Sequence, residues 1–85
     1  MMKYKVLISQ SAHKEIKKIQ PKDSKRIYLV LTKLAENPFI GKKLDGKLKE
    51  QYSVRVWPYR ILYEIESKKV TVLILRVKHR KDIYK

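Results

Sequence analysis

Cysteine is missing from this chain of 85 residues, which rules out disulfide staples and thiolate chemistry and suits a reducing compartment. Histidine occurs twice, at His13 and His79, too few for a zinc site built on His and Cys. No metal and no small-molecule cofactor is therefore expected. Long apolar runs are also lacking. None reaches the roughly 18–20 residues of a membrane span, and Val6-Leu7-Ile8 is too short for a signal-peptide core. A soluble cytoplasmic protein without membrane contact is the expectation. Acidic residues are scarce, eight Asp and Glu against 22 Lys and Arg, for a net charge of +14. Such a balance points to a polyanion, nucleic acid first. Glycine and proline are few, so Pro21, Pro38, Gly41, Gly46 and Pro58 punctuate the chain clearly.

What is present is 44% hydrophobic residue in a length that suits one domain, 1–85. A chain of this size buries about 60–65% of its unfolded surface, so the core is modest. Most of the cations are lysine, which a lysine-rich surface alone explains. The five arginines are distributed differently: none precedes Arg26, and four lie from Arg55 to Arg80.

Alternation of Tyr4, Val6 and Ile8 predicts a strand. Ser9 or Ser11 then caps a helix in which Ala12, Ile16 and Ile19 share one face. Pro21 separates it from a second helix ending at Glu36, with Ile27, Val30, Leu31 and Leu34 as its buried stripe and Asn37-Pro38 as its stop. Residues 39–50 read as a cationic loop. Three strands follow, carrying Tyr52, Val54 and Val56, then Ile61, Tyr63 and Ile65, then the nearly continuous apolar run from Val70 to Val77. The expected class is α+β: a β-α-α-β-β-β chain with a helical hairpin on one face of a mostly antiparallel four-stranded sheet. Alternation sets Arg55 and Arg60 on the other face.

The order of these elements meets a known pattern. Leu44-x-Gly46, then Tyr52-Ser53-Val54-Arg55-Val56, then the hexapeptide Tyr59-Arg60-Ile61-Leu62-Tyr63-Glu64, then Val77-Lys78-His79-Arg80 with Tyr84, resembles the RelE/ParE toxin superfamily from Tyr4 to Tyr84. The resemblance implies a microbial-RNase-like fold and a toxin of a type II toxin–antitoxin system. RelE-like members cleave mRNA in the ribosomal A site; ParE-like members inhibit DNA gyrase. On the RelE pattern Arg55, Arg60, Arg80 and Tyr84 match functional positions. Ser53 stands where some RelE proteins carry a lysine credited as general base. The implied partners are the ribosome, mRNA and a cognate RelB-like antitoxin, acidic and partly disordered alone.

Metal-independent RNA cleavage needs a proton acceptor for the 2′-OH, cations for the phosphorane and a donor for the leaving 5′-oxygen. The planar fork of arginine suits a phosphate better than lysine does. Arg60 and Arg80 are the expected clamp, with Arg55 in support. Histidine is the side chain that changes charge near neutral pH, so His79 is a candidate acid or base, or else a strand-end side chain making one hydrogen bond. Tyr84 can donate a proton or stack on a base. Glu50 is a further carboxylate within reach of the strands. Lys42, Lys43, Lys47, Lys49, Lys78 and Lys81, with Ser53 and a stacking or packing Trp57, complete the RNA-binding set. Two rival readings stand beside the ribonuclease: a ParE-like gyrase inhibitor, and a nucleic-acid-binding domain that cuts nothing.

Overall fold

The computed structural model describes residues 3–46 and 50–83. Strand β1 (Lys5–Ile8) leads into helices α1 (Gln10–Lys17) and α2 (Pro21–Glu36). A 3₁₀ turn at Pro38–Ile40 and the two-residue strand β2 (Lys42–Lys43) come next. Then follow β3 (Gln51–Val56), β4 (Tyr59–Glu66), β5 (Thr71–His79) and a short helix α3 (Arg80–Ile83).

Local chemistry accounts for the boundaries. Ser9 caps α1: its Oγ accepts from the Ala12 N–H at 3.0 Å and donates to the Leu75 carbonyl at 2.8 Å, tying the helix start to β5. Pro21 sits in the first turn of α2, where its missing N–H costs nothing. Ile19 falls beyond the end of α1 but still packs on the core. The other core-facing residues of the helices are Ala12, Ile16, Ile27, Leu31 and Leu34.

The sheet order is β1-β5-β4-β3-β2, with β1 parallel to β5 and the other pairs antiparallel. The expected four strands become five because Lys42 and Lys43, read as loop, pair with Ser53 and Tyr52. Two lysines carry no apolar alternation, so sequence periodicity gives no sign of this edge. Tyr52, Val56, Ile61, Tyr63, Ile65, Val72, Ile74 and Val77 form the buried face under the helices. A bulge interrupts β5. Leu62 pairs with Arg76 while Tyr63 pairs with Ile74, leaving Leu75 unmatched. Both Ile74 and Val77 therefore face the core although they are three residues apart. The same shift turns Arg76 and Lys78 to the opposite face.

Aromatic contacts hold the segment after α2 onto the sheet. Tyr4, Phe39, Tyr52 and Tyr63 follow one another at centroid spacings of 6.4, 6.0 and 5.7 Å. The fully buried Tyr63 donates its hydroxyl proton to the Pro38 carbonyl at 2.7 Å and accepts from the Gly41 N–H at 3.1 Å.

Candidate nucleic-acid interface

The face that the helices leave open carries two cross-sheet rows. In one, Arg55 pairs with Arg60 and Arg60 with Lys78. In the other, Lys42 pairs with Ser53, Ser53 with Leu62 and Leu62 with Arg76. Adjacent strands lie about 4.8 Å apart. Three cations in one row repel one another, and each directly opposed like pair costs on the order of 0.2–1 kcal/mol. Among the described residues the side chains of Arg55, Arg60 and Lys78 make no hydrogen bond or close ion pair, although Lys78 also acts electrostatically on Glu15. The fold thus holds a row of three opposed cations, as an anion site does.

Between the rows lies a depression of about 430 Å³, with Ser53, Leu62 and Leu44 among its lining and Arg60, Arg76 and Lys78 around it. Asp82, on α3, is the one carboxylate among its described lining residues. Ser53 is buried and lines this depression. Lys42 shares the face and is exposed, whereas Lys43, paired with Tyr52, belongs to the other face.

The remaining sequence candidates go elsewhere. Arg80 stands over the exposed ring of Trp57, its guanidinium carbon 5.1 Å from the ring centroid, and its N–H donates to the Pro58 carbonyl at 2.8 Å. Trp57 at the β3–β4 hairpin tip thus carries Arg80, and Lys78 rather than Arg80 stands next to Arg60. His79 pairs with Tyr59 and meets its ring edge-to-face at 5.3 Å, on the side opposite Lys78. Its Nδ1 accepts from the Lys81 N–H at 3.1 Å, which puts the proton of the neutral ring on Nε2 as a hydrogen-bond donor. Lys81 is exposed on α3. Glu50 precedes β3, at the far end of that strand from Arg55. Lys47, Lys49 and Tyr84 lie outside the described residues.

Arg76 escaped the sequence reading because it sits inside an apolar run. Its signal was the spacing to Lys78, two residues on. Arg76 curls around the β5 edge beyond the end of β1. There Nε and Nη2 donate to Glu15 Oε2 at 3.0 and 2.7 Å, while Glu15 Oε1 accepts from the Val77 N–H at 2.8 Å. Glu15 thus plugs a strand edge and orients an arginine of the depression. Partial burial raises the Glu15 carboxyl pKa, but the bonds from Arg76 and the Val77 N–H outweigh it, holding the group below its ordinary 4.5. A lowered carboxyl pKa adds stability above 4.5 that is lost as pH falls through the folded value. The Arg76 side chain is 42% exposed, so solvent screening trims the pair to about 1 kcal/mol. Glu15→Gln should lower the urea midpoint at neutral pH, and the gap to the unaltered protein should close as pH falls below 4.5. A gap that does not narrow as pH falls below 4.5 would refute the ion-pair assignment.

Comparison with known proteins places the chain in a family. Residues 6–84 match the family described as ParE toxin of type II toxin–antitoxin system, parDE. Toxin RelG of Mycobacterium tuberculosis is 35% identical over 86 residues, covering 99% of each chain. The toxin–antitoxin complex RelBE2 from the same organism superposes with a TM-score of 0.84 at 33% identity, covering 94% of each chain. The archaeal RelE–RelB complex from Pyrococcus horikoshii gives 0.83 at 25% identity, covering 93% of this chain and 97% of that one. The chain belongs to the RelE/ParE superfamily and is a toxin of a type II toxin–antitoxin system.

Proposed function

We propose that this toxin is a ribosome-dependent, metal-independent endoribonuclease that cleaves mRNA in the A site and so blocks translation in the cytoplasm. The observation that carries the reading is the row of opposed cations Arg55, Arg60 and Lys78 on the open sheet face. In the reaction the 2′-oxygen attacks phosphorus and the bond to the 5′-oxygen breaks, leaving a 2′,3′-cyclic phosphate and a 5′-OH. Arg60 and Lys78 neutralise the phosphorane, with Arg55 and Arg76 at its flanks. The 2′-OH proton passes to solvent and Tyr84 donates one to the leaving 5′-oxygen, while the protonated Nε2 of His79 hydrogen-bonds a substrate oxygen. Ser53, a small side chain where some RelE proteins carry a lysine, leaves room for the phosphate in the depression and supplies no base.

Structural relatives solved as RelB–RelE complexes support a RelB-like antitoxin as cognate partner. Its acidic chain would neutralise the cationic row, and its apolar residues would cover side chains this surface exposes, among them Leu7, Tyr28, Leu29, Phe39 and Ile40.

The matching family model is named for ParE, which favours gyrase inhibition as the second reading. Primer extension on translating ribosomes separates the two. The ribonuclease should cut within A-site codons. Intact mRNA together with blocked replication would move the assignment to gyrase.

A further inference from the structure

A second depression, of about 320 Å³, lies around the β5 edge from the first. Ile19, Val77, Tyr59 and His79 give it apolar and aromatic walls, and Lys18 stands beside them. Lys78 and Asp82 line both depressions, so the two are neighbours across one lysine. Their characters differ. The first gathers guanidinium groups and an ammonium; the second is built from the Tyr59 and His79 rings, set edge to face, the aliphatic Ile19 and Val77, and the side chains of Glu15 and Asp82.

We infer that the second depression binds the nucleoside next to the scissile phosphate, the RNA strand passing over Lys78 from one depression to the other. The inference rests on the ribonuclease reading and adds a substrate subsite to it. Three observations argue for it. A depression of about 320 Å³ has the scale of one nucleoside, and aromatic walls offer any base a stacking surface. Above all, the arrangement explains the position of His79. That residue faces away from the arginine row, yet a nucleoside seated beside Tyr59 would bring its own ribose oxygens to Nε2. The clamp and the Nε2 donor of His79 then meet the substrate from opposite sides of one strand.

Side-chain NMR of the free toxin at about 0.15 M salt tests this, with inorganic phosphate and a 2′-deoxy adenosine–guanosine dinucleotide as probes. Phosphate should shift the Arg60 and Arg76 guanidinium signals alone. The dinucleotide should shift these and also the Ile19 methyl and the Tyr59 and His79 rings. Ile19→Trp, which fills the depression, should weaken dinucleotide binding about tenfold and leave phosphate binding unchanged. Lys18→Glu, on an exposed position where folding is not at stake, should weaken the dinucleotide more than the phosphate. Dinucleotide shifts confined to the arginines, or unchanged dinucleotide affinity in both variants, would overturn the subsite. A-site cleavage with an empty second depression removes the subsite and keeps the ribonuclease. A filled depression without cleavage does the reverse.

Discussion

Replacing Arg60 by alanine should cut A-site cleavage by about two to three orders of magnitude. The protein should become slightly more stable at the same time. Both effects come from one position. Arg60 is the middle member of the Arg55–Arg60–Lys78 row, half-buried and opposed by a cation on each side. Its removal relieves two repulsive cross-strand pairs, worth on the order of 0.5 kcal/mol each. On the proposed ribonuclease function it also takes away the fork assigned to the phosphorane, while the peripheral lysines should keep most of the binding to ribosomal RNA. Arg60→Lys preserves charge without the bidentate geometry and should fall between the two. Arg55→Ala should cost less, because Arg55 is exposed at the end of the row. Primer extension and urea denaturation on the same preparations read both quantities. An Arg60→Ala protein that is less stable and still cuts would refute the role of the row.

Gly41→Ala should destabilise the protein by about 3 kcal/mol, equivalent to a loss of roughly 10–20 °C in Tm. A Cβ at position 41 would collide with the Tyr63 hydroxyl and lie 2.6 Å from the Ser53 carbonyl oxygen. That carbonyl belongs to the sheet, so the glycine segment must move. Moving it breaks the bond from the Gly41 N–H to Tyr63 and strains the one from Tyr63 to Pro38. Tyr63→Phe keeps the packing and deletes both bonds, leaving two buried backbone groups unsatisfied at a cost of about 2 kcal/mol. Burial pushes the Tyr63 pKa up to about 12 from an ordinary 10.0. A raised folded pKa means the stability tied to the neutral phenol is complete below pH 10 and is lost as pH climbs towards 12. Calorimetry across that range should show Tyr63→Phe insensitive to this loss. A Gly41→Ala protein with unchanged Tm would show that the segment yields freely.

Much of this architecture was legible from the residues alone. Ala12 with Ile16, and Ile27 with Leu31 and Leu34, have helical spacing because each helix buries one stripe against a sheet. Arg55 and Arg60 share a face because β3 and β4 alternate regularly around a short turn. The rest depended on interactions that no periodicity records. Lys42 and Lys43 become a strand only through backbone bonds to β3. Glu15 and Arg76 meet across 61 positions of sequence at an edge that exists because β1 stops at Ile8. Arg80 reads as a neighbour of Arg60 until Trp57 is seen to hold it. His79 changes sides for the same reason as Arg76: a bulge two turns of the pleat earlier.

That bulge gives β5 a division of labour. Up to Ile74 the strand keeps time with the core; from Arg76 onward it runs half a beat out of phase, and its alternate residues become available for chemistry. Leu75 acts as the frame shift between the two parts. Substitutions on either side can be absorbed one at a time. A change of length by a single residue in this strand would exchange the whole set, sending Val77 to solvent and Lys78 into the apolar interior. The cationic row is therefore protected less by the identity of any one residue than by the spacing of the strand that carries it.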